Sequence, residues 1–372
     1  MNHYDVAIIG GGVVGLSTAC GITRDGTTKV VVVSAGDEAF SGSRSNFGLV
    51  WYQGKGDGAQ HYVRFVRQAI HEWRGFSDEL VRTTGIDLGY HQCGGLKLCL
   101  GEEATAARVA RISRIADQCS PDEPYECEIL DRSQLKEIFG SLRLGDEVHS
   151  ASYSPLDGHV NPLFLLKALH KQFLLSGGRF FGGQHVEKIS VSKAGTFELH
   201  TSARNITADR VLLAAGLDNA RLGENLGIRI PVVPDRGHIL VTQRTRRLFP
   251  VAMNGFRQTD EGSVLIGSST ERVGFNDSVD TNIAAMIANQ AIRAFPELAE
   301  LRLQRTWAGL RTHSPDKLPV YAESPAYPGA FAVMSHSGIT LAAIHSRILP
   351  DWIMKGNTSE DMRQFSVERF SV

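Results

Sequence analysis

The sequence predicts an α/β protein of two domains, and three observations support this. At 372 residues the chain has room for about two domains, because one domain takes roughly 150 residues. Near its start, a strand pattern at residues 5–9 is followed by a glycine-rich turn and by helical apolar spacing. Later segments such as "HQCGGLKLCL", "RGHILVTQ" and "GSVLIGSS" alternate apolar and polar residues, which indicates an antiparallel sheet.

The composition is that of an ordinary folded protein, with 42% hydrophobic and 21% charged residues. Lys and Arg number 39 against 40 acids, so no basic excess favours nucleic-acid binding. The five cysteines form no CxxC pair, so we expect neither a metal site nor a disulfide framework. No apolar run reaches the length of a membrane span, and no signal-peptide pattern opens the chain. We therefore expect a cytoplasmic protein without a transmembrane segment.

The N-terminal pattern is that of a Rossmann-like βαβ unit. The first strand pattern is followed by a G-x-G-x-x-G motif made of Gly10, Gly11, Gly12, Val13, Val14 and Gly15. Gly10 allows a sharp turn, Gly12 allows the backbone to approach a diphosphate, and Gly15 allows the helix to pack closely on the strand. The N-terminus of that helix would present N–H groups and a partial positive charge to the diphosphate. A tight glycine turn without a ligand is the structural alternative.

The second strand, "TKVVVVSA", ends differently from the usual dinucleotide fingerprint. An acid is expected there, roughly 20 residues after the glycines, to bind the ribose hydroxyls. Ser34 occupies that place, with Asp37 and Glu38 just beyond it. The ribose is then held by the Ser34 hydroxyl without charge assistance, or by Asp37, and the sequence leaves both open.

The segment "SGSRSNFGLVW" that follows is both glycine-rich and aromatic, unlike the continuation of a nicotinamide dehydrogenase. It resembles the segment along the flavin ring in the D-amino-acid oxidase, glycine oxidase and sarcosine oxidase (DAO) family. The resemblance continues through "SPLDGHVNPLFLLKAL", "GQHVEKI", "ADRVLLAAGLDN", "PVVPDRGHILV", "WAGLRTHSPDKLPV" and "MSHSGITLA". It implies FAD as cofactor, a Rossmann-like FAD-binding domain, and a mainly antiparallel α+β substrate domain, as in glutathione-reductase-like folds.

The resemblance also implies that the two domains are interleaved along the chain. The FAD-binding domain is expected to take residues 1–84, 150–219 and 307–372. The substrate domain is expected to take residues 85–149 and 220–306.

Cofactor-binding residues are implied by the same matches. They are Gly10, Gly12, Val13, Val14, Gly15, Ser34, Ser43, Arg44, Ser45, Asn46, Phe47, Gly48, Leu49, Val186, Ala215, Gly216, Gly338, Ile339 and Thr340. Small residues in 43–48 would let the backbone approach the ring, and Phe47 and Leu49 would exclude water. N–H groups of residues 338–340 would stabilise the flavin oxygen that becomes anionic on reduction. A flexible surface loop is the structural alternative for the 43–49 segment.

Arg311 is the principal candidate catalytic residue, because matching arginines in glycine oxidase relatives hold the substrate carboxylate. A planar guanidinium binds a carboxylate with two parallel hydrogen bonds. His336 is the second candidate, and it either orients the substrate or caps its turn. An opine carries more than one carboxylate, so we expect a second cation in the pocket, with Arg257 and Arg272 as candidates. Three other residues, Trp51, Tyr52 and Lys55, could reach the substrate, but they are more simply interpreted as core aromatics and a surface cation.

Within the family, "SRSNFGLVWYQGKG" resembles most the β subunits of bacterial opine oxidases of the octopine and nopaline type. Those β chains carry the flavin and substrate site and associate with a larger flavin-containing α subunit and a small iron–sulfur subunit. The implied reaction is hydride transfer from a neutral amine to FAD, followed by hydrolysis of the imine.

Two alternatives stay open: a self-sufficient oxidase that makes hydrogen peroxide, and a non-catalytic nucleotide-binding assembly subunit. Leu265 stands where the resemblance to sarcosine oxidase puts a lysine that promotes the reaction with oxygen. An apolar residue there favours a dehydrogenase that passes electrons to a protein partner.

Overall fold

The computed structural model describes residues 3–36 and 42–370, so Asp37 and Glu38 lie outside the described residues. In the described part the strands form two large sheets and one two-stranded pair. The helices of that part are α1 Val13–Ile22, α2 Gln60–Thr84, α3 Glu102–Asp117, α4 Arg132–Phe139, α5 Pro162–Leu175, α6 Asn219–Glu224, α7 Thr281–Ala294, α8 Ala342–Lys355 and α9 Glu360–Gln364.

The strands fall into three groups by sheet. The first sheet contains β1 His3–Ile9, β2 Val30–Val33, β8 Arg179–Phe181, β9 Val186–Val191, β10 Phe197–Thr201, β11 Asn205–Leu213, β17 Val320–Glu323 and β18 Ala330–Met334. The second contains β4 Gly95–Leu100, β5 Glu128–Asp131, β6 Val148–Ser154, β12 Val233–Arg244, β13 Ala252–Met253, β14 Phe256–Gln258, β15 Ser263–Gly267 and β16 Leu303–His313. The small pair consists of β3 Leu49–Val50 and β7 Gly158–His159.

The first sheet has the order β17-β18-β11-β1-β2-β8, and its strands from β18 to β8 run parallel. Ile9 of β1 lies beside Val33 of β2 and Leu213 of β11, so these strands end together. In open α/β sheets, ligands bind outside the edge formed by the carboxyl ends of the strands. The turns that follow Ile9, Val33, Leu213 and Met334 therefore meet where a ligand is expected.

The valine run of β2 is buried on both faces, as its β-branched composition predicts. Val30 and Val32 pack in the core that includes α1, α2, α5 and α8, while Val31 and Val33 pack in the core on the opposite face. Helix α1 lies close to β1 because Gly15 has no side chain. A Cβ on Gly15 would lie 2.0 Å from the carbonyl oxygen of Gly10.

The second sheet has the order β16-β12-β15-β14-β13-β4-β6-β5, and its neighbours are antiparallel except for β13 and β4. Leu240, Val264 and Ile266 face a core formed with α4 and α7. Gly237 and Ile239 face the other way, toward the strand ends of the first sheet. The predicted fold class, a mixed α/β protein with a second, antiparallel sheet, is confirmed.

Strand β3 ties the segment that precedes it to β7. Gly48, just before β3, has a φ of +92°, and a Cβ there would lie 2.3 Å from the carbonyl oxygen of Val160. Glycine is therefore required at this close approach. Among the described residues, no helix combines the length and apolar character needed to cross a membrane.

Candidate functional site

Two cavities adjoin at the carboxyl edge of the first sheet. The outer cavity has a volume of about 570 Å³ and the inner cavity about 310 Å³. They share lining residues and so form one continuous depression; the shared residues are Gly12, Gly42, Ser43, Ala214 and Gly216. The outer cavity follows the ends of β1, β2 and β11, whereas the inner cavity lies between the two large sheets.

The glycine motif forms the floor of the outer cavity. Gly10 has a φ of +118°, and a Cβ there would lie 2.1 Å from the carbonyl oxygen of Ala214. Helix α1 has no side-chain cap, so its N-terminal N–H groups and dipole are directed at the cavity beside Gly12. The Val13 N–H donates to Ser43 Oγ at 3.0 Å, which joins this turn to the 42–49 segment. The arrangement fits a diphosphate.

The far end of the outer cavity carries an acid that the sequence reasoning missed. Asp218 lines this cavity, as does Ser34, and it is the one acidic residue among the described lining residues. Arg221 donates to Asp218 at 2.8 and 2.7 Å and to the Val186 carbonyl at 2.8 Å. The available sequence signal was "GLDN", directly after the predicted Gly216 turn.

The 42–49 segment runs from the outer to the inner cavity. Its fold is held locally by the Gly48 N–H, which donates to Asn46 Oδ1 at 2.8 Å. The Trp307 indole N–H donates to the Ser45 carbonyl at 3.3 Å. Gly309 leaves room for this segment, since a Cβ there would lie 2.2 Å from Ser45 Oγ.

The 335–340 loop follows β18 and closes one side of the inner cavity. Thr340 Oγ1 accepts the Trp51 N–H at 3.2 Å, and the Thr340 carbonyl accepts the Trp73 indole N–H at 2.8 Å. These two bonds fix the loop to the segment after β3 and to α2. Its backbone therefore forms a firm wall at the amino end of α8.

The structure brings the predicted cofactor residues together around the two cavities. All of them line one cavity or the other except Val13, Gly15 and Gly48, which pack behind the walls. Arg44 lines the outer cavity, and Phe47 and Leu49 line the inner one.

Arg311 projects from β16 into the inner cavity. Its guanidinium donates to the Ser269 carbonyl at 2.9 Å and to Thr270 Oγ1 at 3.2 Å. Gly237 on β12 makes the space, because a Cβ there would lie 2.0 Å from Arg311 Nη2. Burial lowers the pKa of Arg311, against the opposing charge of Asp235 and Glu271, but an arginine remains a cation.

A buried ionic network holds the loop that anchors Arg311. Glu271 accepts from Ser269 Oγ at 2.6 Å, from His238 Nδ1 at 2.9 Å, and from Arg236 at 3.1 and 2.6 Å. His238 Nε2 accepts the Asp280 N–H at 2.9 Å, so the proton of this fully buried imidazole is on Nδ1. The network therefore fixes the position of the Ser269 carbonyl on which the guanidinium rests.

His336 lines the inner cavity, and its ring stacks on His313 at a centroid distance of 3.8 Å. The side chain is surrounded by protein yet keeps exposed surface, because that surface faces the cavity. Burial, reinforced by the nearby His313, Lys55 and Arg311, holds the pKa of His336 well below its usual value. The imidazole is therefore neutral at physiological pH. His313 was not predicted from the sequence; its Nε2 lies 3.6 Å from Asp235 Oδ2.

Lys55 corrects an expectation from the sequence, because it lines the inner cavity instead of the surface. Its ammonium donates to Ser337 Oγ at 2.6 Å and to Thr340 Oγ1 at 3.4 Å. Burial lowers the pKa of Lys55 to about 7, and the carboxylate of Asp157 opposes this shift. Gly54 and Gly56, with φ of +77° and +80°, turn the chain inward on either side.

The two arginines predicted as a second pocket cation lie elsewhere. Arg257 is buried on β14 but lines neither described cavity. Arg272 has 81% of its side chain exposed, and its Nε lies 3.9 Å from Asp235 Oδ1. Leu265 is buried on β15 and does not line the inner cavity either.

The inner cavity is electropositive. Among its described lining residues are Arg311, Lys55 and a neutral His336, and none of those residues is acidic. Apolar walls from Phe47, Leu49, Trp51 and Ile239 lower the local dielectric and strengthen these charges. Such a cavity suits an anionic ligand. Within the described residues no cluster of three or more His, Cys, Asp or Glu side chains could hold a metal ion.

Comparisons with known proteins agree with this geometry. An opine oxidase B subunit of Agrobacterium tumefaciens (strain Ach5) is 38% identical over 371 residues, which cover 100% of this chain and 98% of that protein. The corresponding opine oxidase protein of Rhizobium meliloti is 36% identical over 370 residues, with the same coverage. The crystal structure of glycine oxidase from Geobacillus kaustophilus has the same fold, with a TM-score of 0.90, 24% identity and 99% of each chain covered.

The residues present fit FAD: a glycine floor and helix N-terminus for the diphosphate, and a second cavity walled by backbone and small residues for the ring. The family model described as FAD dependent oxidoreductase (DAO) matches residues 5–352. The chain belongs to this FAD-dependent family.

Proposed function

We propose that this FAD-dependent amine or amino-acid oxidoreductase oxidises the C–N bond of an opine or a related secondary-amine or D-amino acid. Two relatives that share more than a third of its residues are opine oxidase subunits, which supports an opine. The observation that carries the proposal is the Arg311 guanidinium, held in an inner cavity whose described lining has no carboxylate.

Arg311 is proposed to bind the substrate carboxylate. Ser269 and Thr270 hold one side of the guanidinium, so its planar face is already oriented when the substrate enters. A bidentate pair with the carboxylate would fix the neighbouring C–H with respect to the ring, and such orientation is a large part of catalysis.

The remaining roles are proposed from position in the cavity. When bound, FAD supplies the acceptor for a hydride from the substrate carbon next to nitrogen. As that C–H bond breaks, the amine lone pair forms the C=N bond, and water then hydrolyses the imine. Neutral His336 can accept a hydrogen bond from the substrate N–H, and Phe47, Leu49 and Trp51 exclude water during the transfer.

We also propose that the chain is the catalytic β subunit of a heteromeric complex. The supporting fact is that both opine oxidase relatives are described as subunits. The proposed partners are a larger flavin-containing α subunit and a small iron–sulfur subunit that receive the electrons. The proposed FAD-binding domain is built on the first sheet and the substrate domain on the second, although β6 and β16 of the second sheet extend past the expected bounds at 150 and 307.

A self-sufficient oxidase is a second candidate, because Lys55 removes an argument against it. The expectation of a dehydrogenase rested on an apolar Leu265 where a cation would promote the reaction with oxygen. Lys55 brings a cation into the inner cavity by another route, so that argument no longer separates the two functions.

The test is anaerobic. FAD-loaded protein is mixed in turn with octopine, nopaline, hydroxyproline, sarcosine and D-amino acids while flavin absorbance is followed. We expect bleaching by an opine, and protein that no amine bleaches would instead be a non-catalytic assembly subunit. After air is admitted, hydrogen peroxide from the chain alone selects the oxidase.

A further inference from the structure

The inner cavity holds two cations that come from different parts of the fold. Arg311 enters from β16 of the second sheet, while Lys55 enters from the loop between β3 and α2 and rests on the 335–340 loop beside the first sheet. Their positions follow from separate supports, since Arg311 is anchored by Ser269 and Lys55 by Ser337. A ligand in this cavity can therefore meet two positive groups that are held by separate segments.

Both cations keep hydrogen-bonding capacity beyond the bonds to described residues. Two of the five guanidinium N–H donors of Arg311 are directed at Ser269 and Thr270. Two of the three ammonium donors of Lys55 are directed at Ser337 and Thr340. The described lining contains no acidic residue, because the acids that act on these charges, Asp157 on Lys55 and Asp235 and Glu271 on Arg311, do not line the cavity.

We infer that Lys55 is the second carboxylate-binding residue of this site, and that it selects an iminodicarboxylate, the class to which opines belong, over an amine with one carboxylate. This inference rests on the proposed function. Arg311 takes one of the two carboxylates that flank the amine, and Lys55 takes the other. The amine is thereby centred beside the neutral ring of His336, with both carboxylates paired.

The charges also suit the protonation state that the reaction requires. Hydride leaves only when the amine nitrogen has a free lone pair, so the amine has to be neutral. Two nearby cations disfavour an ammonium group and so favour the neutral amine. For Lys55 the effect is opposite in sign: a carboxylate that binds beside its buried ammonium stabilises the charged form and raises its pKa.

The test uses FAD-loaded protein and two ligands that cannot be oxidised to an imine. Oxydiacetate has an ether oxygen in place of the amine of iminodiacetate, and methoxyacetate is its counterpart with one carboxylate. Binding is measured by calorimetry and by the change in the flavin spectrum. A second charge-assisted contact predicts about tenfold to hundredfold tighter binding of oxydiacetate by the wild type.

The variant Lys55→Met should remove that preference and leave the affinity for methoxyacetate within about twofold, while Lys55→Arg should keep most of it. Lys317→Met is the matched control, because Lys317 lies near His336 but does not line the cavity. The control should bind both ligands like the wild type.

Three results would overturn the inference. The wild type binds the two ligands equally, a result that needs no variant to fold. Lys55→Met keeps the oxydiacetate preference. Lys55→Met weakens both ligands alike, as a contact with the flavin ring would. These ligands bind without reducing the flavin, so these results test the role of Lys55 alone. The proposed function fails separately, if no amine bleaches the flavin.

Discussion

The outer and inner cavities are built in opposite ways, although they share a wall. The outer cavity is built on the contiguous glycine motif and a helix N-terminus at the ends of parallel strands. The inner cavity depends on charged and aromatic side chains from segments far apart in the chain, such as Lys55 and Arg311. Backbone geometry therefore decides what the outer cavity can bind, and the placement of individual side chains decides what the inner cavity can bind.

The largest effect should come from the inner cavity. Arg311→Ala removes the carboxylate partner but no wall of the outer cavity, so FAD should stay bound. We expect kcat/KM for any carboxylate-bearing amine to fall about a thousandfold, since losing a charged partner costs about 2–5 kcal/mol. Flavin content and anaerobic stopped-flow reduction measure the two quantities. Arg305→Ala, an exposed arginine on the same strand, is the control; full activity in Arg311→Ala would remove this residue from the site.

The next effect should come from the outer cavity and fall on the cofactor. Gly10→Ala puts a Cβ 2.1 Å from the Ala214 carbonyl at a φ of +118°. Strain and overpacking each cost about 1–3 kcal/mol, so we expect FAD affinity to fall roughly a hundredfold or more. Gly26→Ala is the control, because Gly26 also has a positive φ but has nothing within 4 Å. Equal FAD affinity in the two variants would contradict the proposed diphosphate floor.

The pH dependence of ligand affinity should also separate the two cavities, because Lys55 lines only the inner one. Lys55 has a lowered pKa of about 7, so it is charged below that pH and neutral above it. Asp157 is the charged group that acts on it, and burial raises the pKa of Asp157 itself to about 7. Tyr62 donates to the same Ser337 hydroxyl, and His336 and Arg311 line the same cavity. We expect oxydiacetate affinity to be flat below pH 7 and to fall by up to about tenfold per pH unit above it.

In Lys55→Arg the same profile should stay flat to higher pH, because arginine keeps its charge. Methoxyacetate affinity in the wild type should not follow the titration of Lys55. An oxydiacetate profile that is flat to pH 9 in the wild type would contradict the role of Lys55.

The smallest effect should come from the network behind Arg311. His238→Leu has neither a donor for Glu271 nor an acceptor for the Asp280 N–H, so the Ser269 carbonyl loses its fixed position. We expect KM to rise about threefold to tenfold with little change in kcat, and FAD content to stay constant. His238 would then be a positioning residue. In an Arg311→Ala background the same change should add no further loss; an additive loss would mean that His238 acts independently of Arg311.

The sequence predicted much of the outer site because the signals are local. The strand, glycine motif, helix and valine run are contiguous, and the structure shows them as β1, α1 and β2. Asp218 was missed although it lies next to the predicted Gly216 turn. The residues around Asp218 carry no signal that the segment after β11 lines the same cavity as Ser34, which follows β2.

In the inner site the sequence proposed Arg311 through a family match, and it proposed Arg257 or Arg272 as a second cation, neither of which lines the inner cavity. Arg257 and Lys55 are both basic residues in polar stretches, and neither stretch shows which one reaches the cavity. The decisive facts are long-range: Lys55 meets Ser337 and Thr340 across more than two-thirds of the chain, whereas Arg257 lines neither cavity. His313 likewise gains its meaning only from stacking on His336.

The sequence by itself determined the fold class and the backbone cradle for a dinucleotide, because periodicity and glycine placement act over neighbouring residues. The tertiary structure alone decided which charges line the inner cavity, how Arg311 is anchored, and why His336 is neutral. The physical reason is that desolvation and Coulomb interactions depend on distance in space, and packing brings together groups that are remote along the chain.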